Sequence, residues 1–559
     1  MSHETLITNA QIFTVDQDFS VANSLLVRDK IIRAVGSKNA VEKEARSDVE
    51  IVDLGGRSIV PGFIDTHGHI ALFGLDELKV QLQGATKKEE ICSRIASKVA
   101  QVPDGEWVVC TPIGDAPYFL NAPELLRHGV VPETKDLDRI APNNPVYIQA
   151  PTNRVPNYAV LNSFALNLAG ITGDTDVSPR SRVVKDADGM LNGRIEGAIQ
   201  PLYNGDPLYQ MIENVAPKPT FDDVKEGIAL LAPKFLAGGT TTLLEAHLTD
   251  PEELRAYIEL QENGRLPLRV FYTFEIDANQ SLDNIRNFLK TVRFASGGGF
   301  GNGSIRVSGV SIGLDGPYWH GAAVNDAPYL GPFGEMVDPE PLVDPEHYQN
   351  ILMLAAGMGF RIHAEAAGRG SIDLALRVFS AINEKESILN ARHVIEHVEF
   401  PTKNQIAECR NLGLAPTTST NFIWGKGAEV YKDRLGPRYA ENAIPLRNWL
   451  DGNVPVAQST DWGPRDALFT LWQSMARQAG LTREVIGSEQ RITREEAFRL
   501  FTINGAWTLK QEEHLGSIEV GKRADFVVLD GDPVACDLDS LLDMDVSATF
   551  VDGEIVAGA

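Results

Sequence analysis

The sequence predicts an α/β protein: a (β/α)8 TIM barrel with a small β-sandwich domain built from both chain termini and an insertion after the first barrel strand. Three observations predict it. Eight short apolar segments recur through the middle of the chain, most of them separated by helical patterns, and such alternation implies a parallel sheet that closes on itself. The two ends of the chain both read as short strands with turns. Finally, about 170 residues separate the first and second of the eight segments, too many for one crossover helix.

The N-terminal strands are expected at residues 6–15, 24–27 and 30–35, with Asp29 and Lys30 making a tight turn. The C-terminal strands are expected at 526–529, 548–551 and 554–556, with a turn at Asp552–Gly553. Residues 1–59 and 511–559 are therefore assigned to one composite domain, and residues 60–510 to the barrel. The barrel strands are expected at 58–65, 240–244, 268–274, 305–314, 360–363, 393–396, 412–415 and 454–458. One repeat shows the logic. Thr220 and Asp223 form a helix-opening box, Val224, Ile228, Leu231 and Phe235 follow at helical spacing, and Gly238–Gly239 stops the helix before a buried strand. Pro233 within that helix is expected to bend or break it. The insertion, about 101–206, carries strands of its own near 106–111 and 145–149 and is expected to lie over the barrel mouth.

Composition excludes several classes. Hydrophobic residues make up 43% and charged residues 23% of the 559 residues, as in ordinary globular chains. No run approaches the roughly 20 apolar residues of a membrane helix. The first residues carry no basic-then-apolar pattern, so a cytoplasmic location is expected by default. The formal charge of -25 repels nucleic acid and anionic lipid. Four scattered cysteines form neither a disulfide framework nor a metal knuckle. The expected partner is a small-molecule substrate. A homodimer is an expectation by analogy with other barrel enzymes.

The chemistry rests on histidines. His67 and His69 form an HxH pair at the end of the first barrel strand, and alternation aims both rings at one point. Imidazole suits zinc and similar divalent ions. His363, His397 and Asp461 also close predicted strands, which places them at the C-terminal rim, where residues of this fold do their work. Each alone is explained as a polar loop residue; four of only 11 histidines at successive strand ends are not.

The segments IVPGFIDTHGHI (59–70), RHVIEH (392–397), STDWGP (459–464) and GSIEVGKRADFVVLDGDP (516–533) resemble the amidohydrolase superfamily. Within it, LDRIAPNNPVYIQ (137–149) and LNSFALNLAGI (161–171) are similar to amidohydrolase family 3, the branch that includes N-substituted formamide deformylases. The resemblance implies a metal-dependent hydrolase with one or two divalent ions, zinc foremost. It implies that His67, His69, His363 and His397 are metal ligands or lie beside the metal, and that Asp461 is both ligand and proton shuttle. His397 would bind either the metal or the developing oxyanion.

Departures from that branch cluster around the presumed pocket. Ser311 stands where the branch carries a bridging lysine, so either one ion is bound or another carboxylate bridges. Glu245 is the substitute by position, with a purely structural carboxylate as the equal alternative. Ala367 replaces a usual aspartate, Glu365 lies two residues from His363, and Asn157 replaces a frequent histidine. Trp319, His320, Glu365 and Trp462 are candidates for substrate contact, and the aromatic cluster of Tyr318, Trp319, Phe422, Trp424 and Trp462 at loop ends favours an apolar or aromatic substrate. The leading reading is hydrolysis of a C–N amide bond. Deamination of a ring or amidine carbon by a mononuclear site is the first alternative, and a catalytically degenerate ligand-binding protein on the same fold is the second.

Overall fold

The structure, a computed structural model, describes residues 4–175, 180–199, 206–296 and 299–558. Its centre is a barrel of eight parallel strands paired in chain order. They are β1 (Phe63–Gly68), β2 (Thr240–Leu248), β3 (Arg269–Glu275), β4 (Ile305–Gly313), β5 (Ile362–Ala366), β6 (Val394–His397), β7 (Ala415–Thr418) and β8 (Ala457–Gln458). Closure between β8 and β1 is made by single contacts: Thr66 Oγ1 donates to the Gln458 carbonyl at 2.8 Å, and Asp461 N donates to the His67 carbonyl at 2.9 Å.

Several expected strands shift, those at 360–363 and 454–458 to Ile362–Ala366 and Ala457–Gln458, and two others shift for a clear local reason. The first predicted strand is two. Ser58–Pro61 pairs with strands of the terminal domain, and the chain then turns at Gly62 into β1. A Cβ on Gly62 would sit 2.2 Å from Thr241 Oγ1, so only glycine lets β1 and β2 approach there. The strand expected at 412–415 begins only at Ala415. The preceding helix, Lys403–Leu412, runs to Leu412 and is capped by Gly413 at φ 64°.

Both chain ends meet in the small β domain. One sheet of four strands comprises Glu4–Thr8, Ser24–Arg28, Ile31–Gly36 and Glu50–Asp53. The second, of six strands, joins Gln11–Phe13, Val21–Ala22 and Ser58–Pro61 to Phe526–Leu529, Val546–Val551 and Glu554–Gly558 from the other end of the chain. Ile12, Leu25, Ile59, Phe526 and Val528 fill the space between the sheets.

After β1 the chain builds a five-stranded sheet that includes Val108–Cys110 and Val146–Ile148. It has apolar clusters of its own around Ile95 and Leu166. Its loop at 151–154 reaches the barrel mouth: the Thr152 carbonyl accepts from His320 Nε2 at 2.8 Å, and Arg154 pairs with Glu429 at 2.9 Å. Residues 176–179 and 200–205, inside the expected insertion, lie outside the described residues. Asn157 lies inside the subdomain, where its side chain bonds the backbone of Pro151 and Ile199.

The helix before β2 spans Phe221–Ala237 and carries the expected box: Thr220 and Asp223 each bond the other's backbone N–H. It is not broken at Pro233. Ile228, Leu231, Phe235 and Leu236 bury one face against the barrel, and that burial outweighs the single backbone hydrogen bond that proline forgoes. On the same face Gly227 meets Gly74, with a Cβ at either position under 3 Å from the other's backbone. Gly227→Ala is therefore expected to destabilise the fold by about 1–3 kcal/mol through overpacking. A lowered thermal midpoint would register it, and Leu230→Ala on the exposed side of the same helix should stay near wild type.

Candidate metal centre

The barrel's C-terminal rim gathers histidines and carboxylates. His69 Nε2 lies 3.1 Å from Asp461 Oδ1. His67 Nε2 and His397 Nδ1 each lie 3.9 Å from an Asp461 oxygen. His67, His397 and Asp461 thus present ligand atoms within 4.8 Å of one another, as do His67, His247 and Glu396. The two sets meet at His67.

Strand ends hold these groups in unusual backbone. His247, His397 and Asp461 have φ of 59°, 68° and 50°. Left-handed backbone at residues other than glycine is strained and persists only where the surroundings enforce it; it concentrates at functional sites. Here it turns each side chain across the barrel mouth instead of along its strand. Asp65 lies beneath the HxH pair, accepts from Thr460 N at 3.0 Å, and ties β1 to the segment that carries Asp461.

Electrostatics follow from burial. Desolvation favours a protonated Asp461, but the hydrogen bond from His69 and the nearby His67 and His397 outweigh it and hold the carboxyl down to about 2. Burial lowers the His397 ring, yet Glu365, 3.4 Å from its Nε2, and Asp461 bring it up to about 9. The Glu396 carboxyl, fully buried, is nonetheless held well below its ordinary value by His67, His247 and His363. Burial pushes His320 down to about 4, so its ring is neutral at neutral pH.

Above this group lies a small pocket, a cavity of about 40 Å³. Tyr118, Trp319, Phe422 and Trp462 give it aromatic walls; His320, Glu365, His397 and Asp461 add polar groups. All four residues expected to contact substrate therefore face this space. Lys426 also lines it, paired at 2.7 Å with the buried Glu399.

The structure separates the expected ligands. His67, His69, His397 and Asp461 come together. His363 is fully buried on β5, with Nδ1 3.1 Å from Glu396 Oε1 and Nε2 3.4 Å from Ser308 Oγ, so it supports Glu396 and does not reach Asp461's group. Glu245 points to the helix side of the sheet. Its carboxylate accepts from Ile70 N at 2.7 Å, from Ala71 N at 3.3 Å and from Tyr257 Oη at 2.6 Å. Register shifts along β2 on both sides of Glu245 explain why it and His247, two residues apart, leave the strand on different sides. Ser311 is buried and accepts from Thr273 Oγ1 at 3.1 Å.

Sequence reasoning missed Glu396, Glu275 and Asp315. Glu275 ends β3 and meets His247 Nδ1 at 2.7 Å; the rule that singled out Asp461, a carboxylate at a strand end, would have found it. Glu396 was hidden by its neighbour His397. Asp315 accepts the backbone N–H groups of Val324, Ala367 and Gly368 at 2.9 Å each, pinning the loop after β5 where Ala367 stands.

A closed parallel barrel with imidazoles and a carboxylate converging at its C-terminal rim defines a metal-dependent hydrolase. The chain belongs to the amidohydrolase family, whose model matches residues 50–557, and it hydrolyses carbon–nitrogen bonds. It is 25% identical to the N-substituted formamide deformylase of Arthrobacter pascens, over 98% of this chain and 97% of that one. It is 24% identical to the putative amidohydrolase YtcJ of Bacillus subtilis, over 98% of both chains. An uncharacterized metal-dependent hydrolase from Pyrococcus furiosus shares the fold, with a TM-score of 0.72 and 22% identity over 95% of this chain and all of that one. Among the described residues no helix is long and apolar enough to cross a membrane.

Proposed function

We propose that the chain hydrolyses the amide C–N bond of a small molecule with an apolar or aromatic substituent, and that Asp461 moves the proton. The observation that carries this reading is the convergence of His67, His69 and His397 on an ionised, buried Asp461 at the floor of an aromatic-walled pocket. The donor set fits a zinc-like divalent ion: the imidazole nitrogens of His67 and His397 and a carboxylate oxygen of Asp461 lie within ligand range of one another. His67, His69, His397 and Asp461 would hold it. When bound, such an ion supplies Lewis acidity, acidifying a water and drawing electron density from the substrate carbonyl.

The chain's own groups do the rest. Asp461, ionised at neutral pH, accepts a proton from the attacking water and returns it to the leaving nitrogen. His69 Nε2, 3.1 Å from Asp461 Oδ1, fixes the carboxylate's orientation. Trp319, Phe422 and Trp462 exclude water and cradle an apolar substituent, while Glu365 and His320 offer polar contacts. The full-length similarity to an N-substituted formamide deformylase supports an N-acyl amine as the substrate class.

The test is product analysis on zinc-loaded protein with a panel of N-aryl and N-alkyl formamides and acetamides. Release of an amine and an acid in equal amounts is the expected result. Ammonia released from ring or amidine compounds alone would replace this reading with deamination. No turnover of either class, with ligand binding retained, would favour a binding protein.

A further inference from the structure

His67 stands between two groups of ligand atoms, and only one of them serves the reading above. Its Nε2 faces Asp461; its Nδ1 faces Glu396 Oε2 at 3.5 Å. Glu396 Oε2 is also 3.1 Å from His247 Nε2. These three atoms, His67 Nδ1, His247 Nε2 and Glu396 Oε2, are all buried, and none has a hydrogen-bond partner. Buried polar atoms are nearly always partnered; here Glu396 Oε2 lies 3.1 and 3.5 Å from the two nitrogens without hydrogen-bond geometry, and a cation among the three would satisfy all of them.

The surroundings orient each of them toward that partner. His247 meets Glu275 Oε2 through Nδ1 at 2.7 Å, so its proton goes there and Nε2 keeps its lone pair for the shared space. A carboxylate on the far nitrogen is the usual support of a metal-ligating imidazole. His363 holds the other Glu396 oxygen, Oε1, at 3.1 Å, which leaves Oε2 for the same space. The left-handed backbone of His247 turns its ring inward. Charge points the same way. Glu275, Glu365, Glu396 and Asp461 bring four carboxylates around one cluster of imidazoles. Serving both groups through its two nitrogens makes His67 an imidazolate; with the other imidazoles neutral, the cluster carries five negative charges, of which one divalent ion offsets two and two ions offset four.

We propose that His67, His247 and Glu396 form a second divalent-cation site, on the opposite side of the His67 ring from Asp461. Glu396 is its anionic ligand, since Ser311 offers no charge on this side and Glu275 is spent on His247. The site rests on the hydrolase reading only in taking the outer group of His67, His69, His397 and Asp461 as the working centre, with His67 shared between the two.

Zinc content per chain tests it: metal-stripped protein is reloaded with zinc, freed of excess by gel filtration and measured by elemental mass spectrometry, with near-ultraviolet circular dichroism as the folding control. Wild type is expected to carry two ions. Glu396→Gln and His247→Asn are each expected to carry one; asparagine tolerates the left-handed backbone at 247, so a folding failure of one variant does not remove the test. His69→Asn is expected to carry one as well, retained at the inner site. With cobalt(II) in place of zinc, the absorption bands lost in Glu396→Gln should be those that remain in His69→Asn. A single wild-type ion, lost in His69→Asn and kept in both inner variants, overturns the inner site and leaves the outer centre standing. Two ions kept in both inner variants also overturn it. A single ion lost in Glu396→Gln and kept in His69→Asn supports the inner site and overturns the outer one. A chain that takes up no zinc overturns both.

Discussion

Asp461→Asn is expected to lower kcat by about two to four orders of magnitude, the usual contribution of a positioned acid–base group. Asparagine has the shape of aspartate, and its amide oxygen can still accept from His69. It cannot take a proton from water or return one to a departing amine. The buried carboxylate is held ionised by His69, His67 and His397, so the wild-type group is in its working state at neutral pH. Single-turnover kinetics on zinc-loaded protein, with metal content measured alongside, checks the prediction. The rate should fall while KM changes little, because Asp461 acts on the transition state more than on the bound substrate. A variant that kept near-normal kcat would remove Asp461 from the proton path. A variant that lost its metal instead would show that Asp461 acts chiefly as a ligand.

Arg269→Met is expected to cost about 3–5 kcal/mol of stability, the penalty for removing one partner of a buried ion pair. Arg269 opens β3 at the end of the barrel away from the site, and it is almost fully buried. Its guanidinium contacts Asp525 Oδ2 at 2.6 Å and the Gly303 carbonyl at 2.6 Å, and it pairs with Asp552. Both carboxylates belong to the C-terminal part of the small β domain, so one side chain joins that domain to the barrel. Methionine matches the length of the stem but leaves the buried Asp525 without its cation, while Asp552 keeps Arg523. Chemical denaturation should show the loss, and the kcat of the remaining folded protein should stay near wild type.

The acid dependence of this link has a definite sign. Burial raises the Asp552 carboxyl, but the Arg269 and Arg523 guanidinium groups outweigh it and hold it below the ordinary carboxylate value. A carboxylate depressed in the folded state contributes its stability above the unfolded value, about 4, and loses it as pH falls through the folded value. The stability gap between wild type and Arg269→Met should therefore narrow below about pH 4. A gap unchanged down to pH 3 would assign Arg269 a packing role in place of an electrostatic one.

Much of the candidate centre was legible along the chain because barrel geometry converts position into place. A parallel strand delivers its last residues to the C-terminal rim whatever the helices around it do. His67, His69, His397 and Asp461 needed only that rule. His363 and Glu245 show where it stops. His363 lies one residue after β5 begins, because the strand runs on to Ala366, and depth in the barrel depends on where a strand starts as well as on its order. Glu245 and His247 share a face by simple alternation, but the register shifts beside Glu245 break it.

The sequence alone determined the alternating strands and helices, the terminal strands of one shared domain, the inserted segment and the histidines at strand ends. These depend on local periodicity and on chain order, which every short stretch carries within itself. Only the tertiary structure decided which carboxylates face the centre. Glu396 and Glu275 turn inward against His247, while Glu245 is drawn away by the N–H groups of Ile70 and Ala71 and by Tyr257. The direction of a carboxylate is set by whichever donors surround it once the strands are closed, and those donors lie tens to hundreds of residues away along the chain.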